Sequence, residues 1–372
     1  MRHRRLVLIL FITVSLLLLP GCRDRIDLED ITLTLSLGID LDENNQLLFY
    51  SSSPVFSKEA TKKTEEYGVK SATLRYSREE FDAVATALTS KGKVQVFLLG
   101  KKVVKHPDWF SMLDVMFRDA KSTLNAKVAV VDGPVSKFIN YYPKDKPRLP
   151  LHMTKLIDTA DRRNLTVKTS LATLHTQFYE KGVTPAVTEL KMENSLEVAG
   201  TALLDRRGRY VDTLLLQETE LLRILQDNKQ GQLSLTLPVP GVKDNWFHRN
   251  RISYYVENIH RSIKTGFKDG RFRFQMIFKV SALQTERLFP YDMRKDEGKL
   301  RQALEKQLGQ DLRDLVKRLQ KLQLDPIGLG MYARAYEYNA WKRVQDQWGK
   351  AFAEADINVQ VQLKTLNMGL IK

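Results

Sequence analysis

The chain has 372 residues, of which 43% are hydrophobic and 28% charged, with one cysteine and a net charge of +15. These fractions are those of a globular protein, and the length suffices for two or three domains. A net positive charge can favour binding to nucleic acid or to an anionic membrane surface. Here, however, Lys and Arg are interleaved with Asp and Glu. We therefore interpret the excess as a solvated surface with some attraction to anionic lipid headgroups.

The first 21 residues predict export. Basic residues at 2, 4 and 5 precede an uncharged apolar run at 6–19, which is the layout of a signal peptide. The run has 14 residues, fewer than the roughly 20 that a membrane-spanning helix needs. We expect residues 1–21 to be removed, and export argues against nucleic acid as a partner.

Cys22 defines the type of signal. It follows Leu19, Pro20 and Gly21, so a branched apolar residue stands three positions before it and a small residue directly before it. That pattern is typical of lipoprotein processing, and two acyl chains hold a protein firmly in a membrane. A buried cysteine after an ordinary signal is the alternative. We predict lipidation of Cys22, with 22–27 as a short tether and no intrachain disulfide, because there is only one cysteine.

Two strands joined by a turn are predicted directly after the tether. Alternating apolar residues run from 28 to 39, a turn follows at 40–46, and a second strand covers 47–50. The turn has the first acidic positions of a calcium loop. Its sixth position is Asn45 rather than Gly, however, and its twelfth is Ser51 rather than Glu, so we favour a turn.

The stretch up to residue 142 predicts a small α/β unit. Residues 57–71 are polar and charged, which is typical of a loop. The apolar spacing at 77–91 predicts an amphipathic helix, with Ser77 as N-cap and Glu80 completing a capping box. The next predicted elements are a strand at 93–104, a helix at 107–120, a strand at 126–131 and a helix at 135–142.

After residue 198 the sequence pattern changes, because the apolar periodicity extends over longer segments. The clearest strand is 271–283, where large apolar residues alternate with polar ones, and leucines spaced by three and four predict a long helix at 300–322. The leucine seam could be a partner site, but we favour packing on the preceding strand. Further predictions are a helix at 151–161, a hairpin of 197–204 and 210–216, a helix at 218–227, strands at 233–237 and 252–256, a helix after a break at 325–330, and a terminal strand at 357–363.

These elements predict an α+β fold of two to three domains, with mixed or antiparallel sheets and helices packed on one face. We expect an N-terminal region at 28–198, made of one or two α/β or α+β subdomains with a possible break near the prolines of 143–150. A C-terminal α+β domain is expected at 199–372.

No recognised catalytic or cofactor motif is present. The sequence has no phosphate-binding Walker loop, no three-glycine nucleotide fingerprint, no nucleophile elbow and no zincin motif. The histidines of the exported part are dispersed, with no pair at metal-ligand spacing. They are His106, His152, His175, His248 and His260. We predict no enzyme, no cofactor and no metal site.

Three groups of residues match a known family in order and spacing. They are Cys22, Gly38 and Asp40 at the start, Gly200 and Glu218 in the middle, and Asp325, Gly328, Gly330, Trp341, Trp348 and Phe352 at the end, before Gly369. On the basis of these residues, the chain resembles the Ger(x)C lipoproteins, which are the C subunits of spore germinant receptors. The resemblance covers essentially the whole exported part. Arg23 stands where the family has Trp, and Ser36 and Asp212 stand where Gly is common. We interpret the motif residues other than Cys22 as structural.

The resemblance implies a non-enzymatic subunit of a membrane complex. Its partners would be the two integral-membrane subunits, of A and B type, on the outer face of the inner spore membrane. Such a complex senses nutrients and triggers spore germination, and the C subunit would serve assembly or signalling. The resemblance also implies three α+β domains in an extended arrangement.

Two other classes of protein remain as alternatives. A solute-binding lipoprotein of a transporter would have two similar, doubly wound lobes around a hinge cleft. An exported hydrolase has no motif support.

Overall fold

The computed structural model describes residues 3–6, 27, 30–142, 145–239, 243, 246, 250–289 and 293–367. Most of the strands before residue 216 belong to one large mixed sheet. They are β1 (Ile31–Leu33), β2 (Ser36–Leu41), β3 (Leu47–Pro54), β4 (Thr64–Lys70), β5 (Leu88–Ser90), β6 (Val96–Gly100), β7 (Lys127–Asp132), β8 (Ala186–Met192), β9 (Leu196–Leu204) and β10 (Tyr210–Leu215). β1 and β5 pair separately in parallel, and the others form a sheet in the order β10-β9-β8-β7-β6-β2-β3-β4.

The centre of the eight-stranded sheet is parallel and buried on both faces. β2, β6, β7 and β8 run parallel to one another, whereas the outer strands pair antiparallel. β6 is buried at all of its residues and reads as a continuous apolar run, which is typical of a strand covered on both sides. Phe97 and Leu99 face one hydrophobic cluster, and Val96 and Leu98 face a second one.

Short helices cover both faces of this sheet. They are α1 (Ser77–Asp82), α2 (Lys101–Val104), α3 (Asp114–Arg118), α4 (Val135–Ile139), α5 (Leu149–Arg162) and α6 (Leu171–Tyr179), with a 3-10 turn at Trp109–Leu113. Residues of α2, α3 and α6 pack in the cluster of Phe97, and residues of α4 and α5 pack in the cluster of Val96.

The C-terminal part is a four-stranded sheet with one long helix. Its strands are β11 (Leu233–Pro238), β12 (Arg251–Lys268), β13 (Arg271–Arg287) and β14 (Asp356–Asn367), in that spatial order. Its helices are α7 (Leu216–Leu225), α8 (Met293–Leu322), α9 (Leu329–Tyr336), α10 (Tyr338–Val344) and α11 (Trp348–Ala353), with a 3-10 turn at Gln345–Gln347. β14 runs parallel to β13, and the other neighbours are antiparallel.

The β12–β13 hairpin turns on Asp269 and Gly270. Both have positive φ, 53° and 77°, and Lys268 pairs directly with Arg271. A two-residue loop of this kind suits an Asp-Gly pair, because its twist matches that of the strands. Six leucines of α8, at positions 300, 304, 308, 312, 315 and 319, are buried in the same hydrophobic cluster as the apolar residues of β13. The seam therefore faces the core of this part, where the strands nearest to α8 are β14 and β11.

Most long elements agree with the sequence, and several short ones do not. The helix predicted at 77–91 ends at Asp82, and Tyr76 rather than Ser77 is its N-cap. The predicted strand at 93–104 is β6 followed by α2, and the predicted loop at 57–71 contains β4. The helix predicted after residue 330 is three short helices, α9, α10 and α11.

The boundary predicted between residues 198 and 199 falls within β9. Helices pack on one face of the four-stranded sheet and on both faces of the eight-stranded one. The division into domains at this position stays a prediction.

Candidate functional site

The predicted lipid site, Cys22, lies outside the described residues, as does Gly369. In the described ranges, no helix combines the length and the hydrophobicity that a membrane crossing requires. Lipidation of Cys22 stays a prediction. The remaining motif residues are all described, and they fall into three separate clusters.

The first cluster fixes the start of α4 against the large sheet. Asp40, at the end of β2, is 6% exposed; its Oδ2 accepts the backbone N–H of Val135 at 2.8 Å, and its Oδ1 accepts that of Leu41 at 2.9 Å. Glycines allow this approach: a Cβ on Gly38 would lie 2.5 Å from Val135 Cγ1, and one on Gly100 would lie 2.3 Å from Asp40 Oδ1. Asp40 is therefore a structural acceptor.

An ion cluster that no motif indicated lies next to Gly100. Lys101 Nζ is 2.7 Å from Glu189 Oε1 and 3.2 Å from Asp132 Oδ1, and it lies 4.9 Å from the ring centroid of Tyr210. Glu189 is 2% exposed and also accepts the Thr213 hydroxyl. Burial opposes the charged form of Lys101, but the hydrogen bond and charge of Glu189 hold its pKa above the ordinary value. Lys101 is therefore held by ion pairs within the fold. In the sequence, nothing distinguishes it from a surface lysine.

The second cluster begins with Gly200 in β9. Its φ is +147°, and a Cβ here would lie 2.0 Å from the Leu214 carbonyl oxygen of the neighbouring strand β10. No side chain fits at that distance, so glycine is required where β10 approaches. The carbonyl of Gly200 accepts the hydroxyl of Thr166 at 2.7 Å, which links β9 to the segment after α5.

Glu218 completes the second cluster by joining α7 to α8. Its Oε2 accepts the backbone N–H of Leu215 at 2.9 Å, which is the N3 half of a capping box at the start of α7. Its Oε1 binds Arg318 of α8, and Arg318 also reaches Asp212 Oδ2 at 2.7 Å. Asp212 therefore supplies a second carboxylate for the same guanidinium.

The third cluster is the buried loop around Asp325. This carboxylate has no solvent exposure; its Oδ1 accepts the N–H of Gly328 at 2.8 Å, and its Oδ2 accepts the N–H groups of Gly330 and the Trp348 indole, both at 2.9 Å. Burial raises the pKa of Asp325, and the three N–H donors partly oppose the shift. Gly328 has φ +85°, a conformation that only glycine adopts easily.

This loop also contributes to the contact between the two halves of the chain. A Cβ on Gly330 would lie 2.6 Å from the Cα of Gly182, so the two backbones touch at a pair of glycines. The Asp325 carbonyl accepts the N–H of Thr184 at 2.9 Å. The halves are thus joined through backbone groups as well as side chains.

Aromatic motif residues fill the space behind the loop. Trp348 and Phe352 have no exposure, and the Trp348 ring meets Phe272 of β13 edge-on at 5.2 Å. Trp341 is 4% exposed and lies under Arg334, whose guanidinium is 5.6 Å from the ring centroid and binds Glu180 of the first half at 2.9 Å. All three aromatic residues are therefore parts of the core.

The carboxylates of Asp40 and Asp325 accept N–H groups of the fold, and the aromatic motif residues pack in the core. The motif residues of the three clusters are therefore engaged in contacts within the fold. Across the described ranges, no group of three His, Cys, Asp or Glu side chains is placed to hold a metal ion.

Comparison with known families matches each half of the chain to a family model. A family model described as "Spore germination protein N-terminal domain" matches residues 24–192, and one described as "Spore germination B3/ GerAC like, C-terminal" matches residues 199–369. The chain belongs to the Ger(x)C family of spore germination proteins. The family predicted from the motif residues is confirmed.

Three relatives from Bacillus subtilis (strain 168) match over nearly their whole length. The chain is 22% identical to spore germination protein B3 over 96% of both chains, and 22% identical to spore germination protein A3 over 97% of both. It is 20% identical to spore germination protein KC, covering 99% of this chain and 97% of that one.

The fold is similar to that of a solved relative. The crystal structure of the GerBC protein aligns with a TM-score of 0.57 at 17% identity, covering 91% of this chain and 99% of that one. This likeness confirms the predicted fold class, a multidomain α+β architecture with several sheets.

Proposed function

We propose that the chain is the lipid-anchored C subunit of a spore germinant receptor, and that it serves assembly or signalling rather than catalysis. The observation that carries the proposal is the match of both family models, which together span residues 24–192 and 199–369. The partners would be two integral-membrane subunits, and the site of action the outer face of the inner spore membrane.

The proposed anchor lies at the start of the family match. The N-terminal family model begins at residue 24, two positions after Cys22. A tether of six residues, 22–27, spans at most about 20 Å. Diacylglycerol on Cys22 would therefore hold the eight-stranded sheet close to the bilayer, where membrane-embedded partners lie.

The geometry of the motif residues supports a structural role for them rather than a chemical one. Asp40 and Asp325 use their carboxylate oxygens to hold backbone segments, and Glu218 joins two helices through Arg318. A subunit that transmits force or position between partners needs such a rigid body. The two halves differ in strand number and helix arrangement, which argues against the two similar lobes of a transporter's solute-binding protein.

Co-purification tests membership of the receptor. An affinity tag on this chain should bring down the two membrane subunits from detergent-solubilised spore membranes. A strain that lacks this chain should fail to germinate with the corresponding nutrient, and the two subunits should be depleted. A stable and fully active receptor in that strain would contradict the proposal.

Fractionation tests the anchor separately. Cys22→Ala removes the thiol, so the chain should move from the membrane fraction to the soluble fraction in a strain without the partner subunits. Gly21→Ala is the matched control, since it keeps a small residue before an intact cysteine and should remain membrane-bound. Retention of the Cys22→Ala chain on the membrane would show that the anchor lies elsewhere.

A further inference from the structure

A cavity of about 770 Å³ lies between α7, α8 and the edge strand β11. Its volume is in the range of small-ligand sites, which is about 300–1,000 Å³. Much of its wall is aliphatic. The leucines that line it are Leu165, Leu216, Leu221, Leu235, Leu237 and Leu315.

Glu220 of α7 is the exceptional residue of this wall. Its side chain lines the cavity, yet the residue is only 8% exposed. No hydrogen bond or ion pair to its carboxylate is found among the described residues. Burial alone raises the pKa of Glu220 to about 8. Glu220 is therefore a carboxyl group on the cavity wall that no described side chain or N–H group occupies, so a ligand in the cavity could reach it.

The other ionisable groups around the cavity are occupied or exposed. Glu218 and Arg318 bind each other, and Arg251 is on the exposed face at the start of β12. On α8, Asp311 Oδ1 accepts the side-chain amide of Gln307 at 2.8 Å, and Asp314 has a similar contact with Gln310.

Four carboxylates therefore face two guanidinium groups across the cavity. Burial raises the pKa of Asp311, and the nearby charge of Asp314 raises it further, while the Gln307 amide opposes the shift. When Glu220 is ionised, the carboxylates outnumber the guanidinium groups, and Glu220 is the one that has no hydrogen-bond partner among the described residues.

The residues that line the cavity favour one kind of cation. In the part of the chain that the structure describes, no three acidic or histidine side chains converge as metal ligands. One buried carboxylate above an aliphatic wall suits instead a single charged group on an apolar stem. An ammonium group supplies the charge and up to three N–H donors, and its alkyl chain can pack on the leucines.

We propose that this cavity binds a primary ammonium group carried on an aliphatic chain, with Glu220 as its counter-ion. The ammonium group replaces the missing partner of Glu220, and the stem removes the leucine wall from water. The inference does not depend on receptor membership, because it rests on the cavity alone.

Calorimetric titration of the full-length chain in nonionic detergent tests the proposal. The probe is butylammonium chloride, and 1-butanol is the neutral control of similar shape. Butylammonium should bind saturably and butanol at least tenfold more weakly. Equal binding of the two probes, or no binding of butylammonium, would overturn the proposal.

The pH dependence identifies the counter-ion in the wild-type chain. Only ionised Glu220 attracts the probe, so affinity should be about tenfold higher at pH 9 than at pH 7, while the amine remains protonated at both. At pH 7, binding should also release a proton, seen as a heat that changes with the ionisation enthalpy of the buffer. Affinity that is the same at both pH values contradicts the role of Glu220.

Substitution then tests the residue directly. Glu220→Gln should weaken butylammonium binding at pH 9 at least tenfold and abolish the buffer-dependent heat at pH 7. Glu193→Gln, at an exposed carboxylate in the β8–β9 turn, is the control and should bind as the wild type does. Unchanged binding by Glu220→Gln overturns the assignment.

A further titration, with a peptide that contains lysine, distinguishes two sources of the ammonium group. Five consecutive residues of β11, Ser234 to Pro238, line the cavity, so the strand presents its edge and could border an extended peptide. An acetylated pentapeptide with lysine between pairs of glycines is the probe. Binding at least tenfold tighter than butylammonium assigns the group to a lysine side chain of a partner, and binding no tighter assigns it to a free amine. Both results require the ammonium site.

Discussion

Buried carboxylates occur in two kinds of surroundings in this chain. Asp325 is fully enclosed and accepts three N–H groups, so its charge is spread over donors that the fold positions for it. Glu220 is 8% exposed, lines a cavity, and accepts none among the described residues. The first arrangement stabilises a loop, because the donors would otherwise be unpaired, whereas the second disfavours the ionised form of Glu220 unless a cation binds.

Replacing Asp325 with Asn tests the loop. The amide NH₂ would face an N–H donor, so at least one buried donor loses its acceptor and we expect a loss of about 3 kcal/mol in the free energy of unfolding. Urea denaturation measures the loss. Asp205→Asn is the control: Asp205 also accepts two backbone N–H groups, but in an exposed turn, and its change should stay below about 1 kcal/mol. Equal losses at the two positions would contradict this account.

Replacing Glu220 with Gln should stabilise the protein at alkaline pH. The pKa is about 8 in the folded chain and near 4.5 when unfolded, so folding takes up a proton between these values. The stabilisation from proton uptake is complete below pH 4.5 and is lost as pH rises through 8. We expect Glu220→Gln to exceed the wild type by about 1–3 kcal/mol at pH 8.5 and to match it near pH 4.5, as measured by urea denaturation at both pH values. A constant difference would contradict the raised pKa.

Long periodic elements were predictable from the sequence. β13 alternates apolar and polar residues over most of its length, and α8 places leucines at intervals of three and four, so each pattern identified its element and its buried face. β12 is equally long, but the sequence predicts only its first part, 252–256. A register shift between Val256 and Asn258 moves its apolar residues from even to odd positions, and the alternation visible in the sequence stops there.

Short elements were missed for reasons that lie in tertiary contacts. β4 is an edge strand with Glu65, Glu66 and Lys70, and charge on an edge strand resembles a loop in the sequence. The helix predicted at 77–91 stops early because Asp82 accepts the N–H and hydroxyl of Thr89, whose strand pairs with β1. Pairing with a distant strand overrides a helical pattern there.

Replacing Gly200 tests whether the close approach of β9 and β10 in the second cluster requires glycine. Gly200→Ala would place a methyl group 2.0 Å from the Leu214 carbonyl oxygen at a φ of +147°, so we expect a loss above about 3 kcal/mol. Gly266→Ala in β12 is the control, because a Cβ there meets nothing within 4 Å and should change stability by less than about 1 kcal/mol. Thermal unfolding of both variants gives the comparison. If Gly200→Ala melts with the wild type, β10 can move away and the close approach is not required.

The whole molecule depends on contacts that no local pattern reveals. The motif positions Gly330 and Asp325 were visible in the sequence, but their partners Gly182 and Thr184 lie more than a hundred positions earlier. The same holds for Arg318, whose two carboxylate partners belong to β10 and α7. The motif positions can be read from the sequence, but their contacts across the halves cannot, because spacing along the chain carries no information about distant pairs.

The ion pair of Asp161 in α5 and Arg223 in α7 tests how strongly the halves are coupled. Their side chains are 7% and 5% exposed. Removing one partner leaves the other charge buried, so Asp161→Ala should lower the free energy of unfolding by about 3 kcal/mol. Adding Arg223→Met should recover most of that loss, since the uncompensated charge is gone.

The control is the exposed pair of Asp114 and Arg118, with side chains 58% and 79% exposed. Asp114→Ala should change stability by less than about 0.5 kcal/mol, because water screens that pair. Urea denaturation of the single and double variants yields the coupling energy between Asp161 and Arg223. Additive losses for Asp161→Ala and Arg223→Met would mean that the two residues act independently, and that packing between the halves, rather than this ion pair, joins α5 to α7.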